Sequence, residues 1–135
     1  MKVVFDASVV VAAVGWDGEG LLCFVRLARR HCFAFGTEET LRETKETCLR
    51  LMREKKFAHH AAGRLSWYVE KVQLMPPVPL GKRRSRDPDD DPYLAAALSA
   101  QAAFIVTYDK DLLDLQRPFG IRIVRPAVFL KSIGS

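Results

Sequence analysis

Residues 91–109 read DPYLAAALSAQAAFIVTYD. Asp91-Pro92 resembles a helix N-cap followed by proline at the first helical position, where the missing proline N–H costs nothing. Leu94 to Ala103 is alanine-rich, the composition of a helix that packs closely on a sheet. Phe104-Ile105-Val106-Thr107 is then a continuous apolar, β-branched run, the signature of a strand buried on both faces. It ends two residues before Asp109. The stretch therefore reads helix, buried strand, acid at the strand's end.

The same unit recurs outward from it. Lys2-Val3-Val4-Phe5 is a short β-rich run ending at Asp6. Ala7 to Val14 is apolar with small residues and reads as a buried helix, followed by a turn over residues 15–20. Leu21 to His31 carries Leu21, Phe24, Val25, Leu27 and Ala28 on one helical face, with Arg26, Arg29 and Arg30 off it. Cys32-Phe33-Ala34-Phe35 is a second strand closed by Gly36. Thr37 fits a cap for a helix running to about Met52, with Glu38 and Glu39 in a first turn that favours acids. Phe57 to Val72 reads as another helix. A short strand at Val72 to Met75 enters the proline-rich connector Met75-Pro76-Pro77-Val78-Pro79. Ile121 to Val124 is a last strand, and a helix opened by Pro126 runs to Ile133. Strands separated by helices predict an α/β domain with a parallel sheet. In such sheets the working residues lie at the carboxyl ends of strands, where Asp6 and Asp109 both fall.

Length and composition agree with one globular domain: 135 residues, 49% hydrophobic and 27% charged. No apolar run reaches the roughly 18 residues that a membrane span needs. The chain starts directly on its first strand, so neither a signal peptide nor a membrane role is expected, and a cytoplasmic location is. Cys23, Cys32 and Cys48 match no metal spacing and read as buried, reduced thiols. His31, His59 and His60 are not ligands by spacing, and Phe57, Trp67 and Tyr68 read as core or dimer contacts. The net charge of +5 is less informative than its distribution. Residues 21–86 carry +9 and residues 87–111 carry −5, meeting at Arg86-Asp87. A folded site holding so many aspartates needs a cation to offset their repulsion.

If the sheet is parallel, Asp6, Asp91 and Asp109 converge at one edge. A fourth acid would come from the helix after Thr37, where Glu39, Glu43 and Glu46 share a face. Glu43, in mid-helix, is the leading candidate, with Glu39 and Glu46 as substitutes. Clustered carboxylates suit Mg²⁺ or Mn²⁺, hard cations that prefer oxygen ligands. Such an ion lowers the pKa of a bound water and neutralises a phosphodiester, so that no side-chain nucleophile is required.

On these residues the chain resembles the PIN-domain ribonucleases, specifically the small stand-alone toxins (VapC-like) of toxin–antitoxin pairs. The resemblance runs from Val3-Val4-Phe5-Asp6-Ala7-Ser8 through Thr37 and Glu43. It is strongest at Arg86-Asp87-Pro88-Asp89-Asp90-Asp91-Pro92-Tyr93 and Ile105-Val106-Thr107-Tyr108-Asp109-Lys110-Asp111, and it ends on the strand and helix of residues 121–130. It implies a three-layer α/β/α sandwich around a mostly parallel sheet, a single PIN-like domain over residues 1–135. The implied activity is Mg²⁺- or Mn²⁺-dependent endoribonuclease cleavage of RNA. Asp6, Glu43, Asp91 and Asp109 would be the catalytic, metal-binding acids. Ser8, Thr107 and Asp87 would be polar supports, with Asp111 a further acid. Arg83, Arg84 and Arg86 border the acids as the leading phosphate contacts, ahead of Arg42, Lys45 and Arg50. A cognate antitoxin and a homodimer are also implied.

The chain departs from the family at Ala7-Ser8, where Thr-Asn is common, and at Thr44, where the residue after the glutamate is usually apolar. Two other readings compete. One is a decayed PIN-fold RNA-binding or regulatory protein. The other is a phosphotransferase with an aspartyl-phosphate on Asp6, which leaves the later acids unexplained.

Overall fold

The computed structural model describes residues 1–57, 59–82, 84, 88 and 91–134. Five strands form one sheet: β1 (Lys2–Phe5), β2 (Phe33–Gly36), β3 (Gln73–Leu74), β4 (Phe104–Val106) and β5 (Arg122–Val124). Their order is β3-β2-β1-β4-β5, and the four pairings are all parallel. Seven helices are found among the described residues: α1 (Ala7–Gly15), α2 (Glu19–Ala28), α3 (Glu38–Arg53), α4 (Ala61–Lys71), α5 (Asp91–Ala100), α6 (Lys110–Leu113) and α7 (Pro126–Ser132). A 3-10 turn spans Pro118–Gly120.

Strand side chains alternate between two cores, as the pleat requires. Val3, Phe5, Phe104 and Val106 face one core, shared with Val9, Phe24, Leu65, Tyr68 and Phe129 of α1, α2, α4 and α7. Val4, Ile105 and Ile123 face the other, against Leu94, Ala96, Ala97 and Leu112 of α5 and α6. The result is the α/β domain with a parallel sheet that the residues predict, in the three-layer α/β/α form that the resemblance implies. Chain order runs outward from β1 through β2 to β3 on one side, and from β4 to β5 on the other. The reversal falls between β1 and β4, and open sheets of this kind form their crevice at such a point. No single helix among the described residues is long and apolar enough to cross a membrane.

Thr37 caps α3 as expected. Its hydroxyl accepts from the Thr40 amide at 3.2 Å, and the Thr40 hydroxyl accepts from the Thr37 amide at 2.9 Å. Other boundaries differ from expectation for local reasons. α2 starts at Glu19, two residues early, because Gly18 serves as its cap. There Gly20 presses on α1, where a Cβ would stand 2.8 Å from the Ala13 nitrogen. α2 also ends early, and Arg30 turns the chain with a φ of 61°. α4 starts at Ala61 rather than Phe57. The Phe57 ring occupies the space that a Cβ at Gly15 would need, and that long-range contact holds residue 57 outside the helix. α5 ends at Ala100 instead of Ala103, with Gln101 in the left-handed region. The three cysteines are buried and unbridged. Tyr68 is buried in the core, stacked on Phe24, and Trp67 lies against the same ring.

Candidate active site

Asp6 stands directly after β1, and its amide donates to the Val106 carbonyl at 3.0 Å, prolonging the β1–β4 ladder by one rung. The Asp6 carbonyl starts α1 by accepting from Val9 and Val10, and its side chain makes no capping bond. The carboxylate Oδ2 accepts from Ser8 Oγ at 2.7 Å and from Thr107 Oγ1 at 2.8 Å.

The direction of both hydroxyls is fixed by what they accept. Ser8 Oγ accepts from the Tyr108 amide at 3.1 Å, and Thr107 Oγ1 from the Asp109 amide at 2.9 Å. Each hydroxyl proton is therefore left for Asp6. This small network ties the end of β1 to the end of β4 across the switch point. Asp6 is 5% exposed, and among the described residues no Lys, Arg or His reaches its carboxylate. Burial pushes its pKa up, and the hydrogen bonds from Ser8 and Thr107 only partly offset that.

The remaining candidate acids belong to three helices. Asp109 caps α6, accepting from the Asp111 amide at 2.9 Å. Asp91 opens α5, and its Oδ2 accepts from the Arg84 amide at 2.9 Å. Glu43 lies in the middle of α3 and is half-buried, whereas Glu39 and Glu46 are exposed. One residue that sequence reasoning missed lies near two of the candidates, Asp6 and Glu43. Tyr93 of α5 is 1% exposed, and its hydroxyl makes no hydrogen bond of normal geometry among the described residues. Burial raises its pKa most; nearby Thr44 opposes this, while the charges of Asp6 and Glu43 add to it. Asp6, Glu43 and Tyr93 therefore share one neighbourhood. In the sequence Tyr93 stood only as the end of the family-like motif that closes on Asp91-Pro92-Tyr93, with no role of its own.

Arg84 meets its environment differently from a free phosphate contact. Its Nη2 donates to the Leu80 carbonyl at 3.2 Å, and its guanidinium lies 5.0 Å from the centroid of the Phe119 ring. Arg83, Arg86 and Asp87 lie outside the described residues. Arg42 and Lys45 are exposed on α3. Arg42 borders a cleft of about 530 Å³ at the ends of β2 and β3, lined also by Thr37, Glu39 and Pro76.

Among the described residues, no three His, Cys, Asp or Glu side chains are grouped closely enough to hold a metal ion between them. The donor chemistry still fits a hard cation. The candidates are all carboxylates, and Asp6 is a buried one with no cationic partner among the described residues. Mg²⁺ commonly takes one or two carboxylates and keeps several waters, so a three-acid cage is not required.

The sequence model of the family described as PIN domain matches residues 2–111. Among solved structures, the chain is similar to the crystal structure of PAE2754 from Pyrobaculum aerophilum. That likeness has a TM-score of 0.67 at 18% identity, over 98% of this chain and 89% of that one. At this identity it speaks for the fold alone. No curated protein matches the sequence.

Proposed function

Because the chain belongs to the PIN-domain family, whose members are generally metal-dependent nucleases, we propose that it is a Mg²⁺- or Mn²⁺-dependent endoribonuclease. We read it as the toxin of a type II toxin–antitoxin pair. The observation that carries the nuclease reading is Asp6: a buried carboxylate at the switch point, held by two hydroxyls and without a cationic partner among the described residues.

Asp6, Glu43, Asp91 and Asp109 would hold the cation. When bound, it supplies a more acidic water and offsets charge on the phosphodiester. Ser8 and Thr107 keep the Asp6 carboxylate in one orientation, so no rearrangement is needed on binding. Attack of water on phosphorus breaks the bond to the 3′ oxygen, leaving 5′-phosphate and 3′-hydroxyl ends. Basic residues near the acids hold the strand through its phosphates. A small antitoxin encoded beside the gene and a homodimeric assembly complete this reading.

The test is RNA cleavage in Mn²⁺ and in EDTA, beside Asp6→Asn, with end mapping. Cleavage in Mn²⁺ only, lost in the variant, is expected. An Asp6→Asn chain as active as the parent would sink the reading. The alternative is a PIN-fold RNA-binding protein without catalysis, favoured by the lack of a three-acid cluster among the described residues. It predicts RNA binding with no divalent-dependent cleavage.

A further inference from the structure

We propose that Phe119 and Arg84 form a stacking subsite for one unpaired nucleobase of the RNA, joined to one candidate acid through the hydrogen bond from the Arg84 amide to Asp91. This rests on the nuclease reading above and names a part of its substrate site.

Phe119 is unusual in two ways. Its backbone lies in the left-handed region, at φ 55° and ψ 24°. A bulky side chain seldom adopts that conformation, because its Cβ crowds the carbonyl oxygen. Nor is the strain offset by burial, since Phe119 is 51% exposed. The turn thus holds a large apolar ring outward at a conformational cost, in a loop where Gln116 and Gly120 also have positive φ. Strain that packing does not explain points to use.

The ring is also placed. The Arg84 guanidinium lies over it at 5.0 Å, steadied by the Leu80 carbonyl, while the amide of the same arginine holds Asp91 Oδ2 at 2.9 Å. One residue therefore links the ring to a candidate catalytic acid. Two cations close by in sequence, Lys82 and Arg117, are both exposed. Every nucleobase offers a π-face, so an exposed ring next to cations suits a single strand without demanding a particular base. The guanidinium over one face holds the ring in place through a cation–π contact, leaving the other face for a base.

The experiment uses the wild-type chain in EDTA, where cleavage is off. Its affinity for a short single-stranded RNA is read by fluorescence anisotropy. A set of the same RNAs, each with one abasic position, locates the stacked base. One abasic position should weaken wild-type binding by about tenfold, the loss of one stacked base. Phe119→Ala should weaken binding to the intact RNA equally and make the abasic series flat, and Phe119→Trp should restore both. Phe119→Asn separates binding from folding, since asparagine tolerates the left-handed region. It should bind like Phe119→Ala while its Tm stays level or rises.

A flat abasic series in the wild type overturns the proposal, as does Phe119→Ala binding as tightly as the parent. Unchanged RNA binding with a change of oligomeric state in Phe119→Ala would assign the ring to a protein contact instead. Cleavage in Mn²⁺ by a chain with a flat abasic series would defeat only the subsite. A chain that cleaves no RNA in Mn²⁺ would defeat the nuclease reading itself.

Discussion

Asp6 is destabilised as a charged group by its burial, and that has a sign that can be measured. Its folded pKa is raised above the unfolded value. The protonated side chain therefore contributes stability fully below the ordinary carboxylate pKa, and this is lost as pH rises through the folded pKa. Asp6→Asn removes the titration and keeps an oxygen for Ser8 and Thr107. Without divalent ions, the variant should match the parent in acid and gain on it as pH rises. By neutral pH the variant should therefore be the more stable of the two, with the higher Tm. Saturating Mn²⁺ should then stabilise the parent and not the variant. Thermal melts from pH 4 to 8, with and without Mn²⁺, check both halves. A gap that closes with rising pH would mean that the carboxylate is satisfied without a cation.

Thr107 and Tyr93 make opposite predictions at the same scale. Thr107→Val keeps the shape but strips an acceptor from the Asp109 amide and a donor from Asp6. In a fully buried position this should cost about 2 kcal/mol in urea denaturation. Tyr93→Phe deletes a buried hydroxyl that makes no normal hydrogen bond among the described residues. It should raise stability by about 1 kcal/mol. A loss instead would show that Thr44 or Glu43 bonds it in solution.

At the scale of elements, the sequence was most legible where one period ran without interruption. β1 and β4 are continuous apolar runs, and the acid after each marks where the strand stops. Their parallel pairing then brings Asp6 and Thr107 to 2.8 Å although 101 residues separate them. α6 was missed because four residues show no helical period. The start of α4 was misread because Phe57 answers to Gly15 of α1, a contact with no local signature. The choice among Glu39, Glu43 and Glu46 also stayed open, since spacing puts all three on one face of α3. Packing separates them, leaving Glu43 half-buried and the others exposed. Glu43→Gln should therefore cut RNA cleavage by roughly a hundredfold, against little change for Glu39→Gln or Glu46→Gln. Equal losses from all three would indicate a general charge effect on the strand rather than a ligand.

For the whole molecule, the useful quantity is how charge is divided, not its total. The +5 net charge combines a basic segment over residues 21–86, whose excess lies mostly between its helices, with the acidic segment over residues 87–111. If RNA lies across the cleft beside α3, its phosphates meet Arg42 and Lys45 before the scissile bond reaches the acids. Binding should then weaken steeply with salt, because each neutralised phosphate releases counterions. For a single strand the slope of log affinity against log salt is about −0.7 per contact, so four contacts give roughly −3. Arg42→Glu with Lys45→Glu should make that slope shallower by about 1.4, two contacts' worth, and weaken binding without regard to base sequence. Phe119→Ala should instead lower affinity at every salt concentration and leave the slope unchanged, since stacking on an uncharged ring releases no counterions. Titrations of wild type and both variants in EDTA, from 50 to 300 mM salt, separate the two contributions. A double charge reversal that leaves the slope at its wild-type value would move the RNA path off α3.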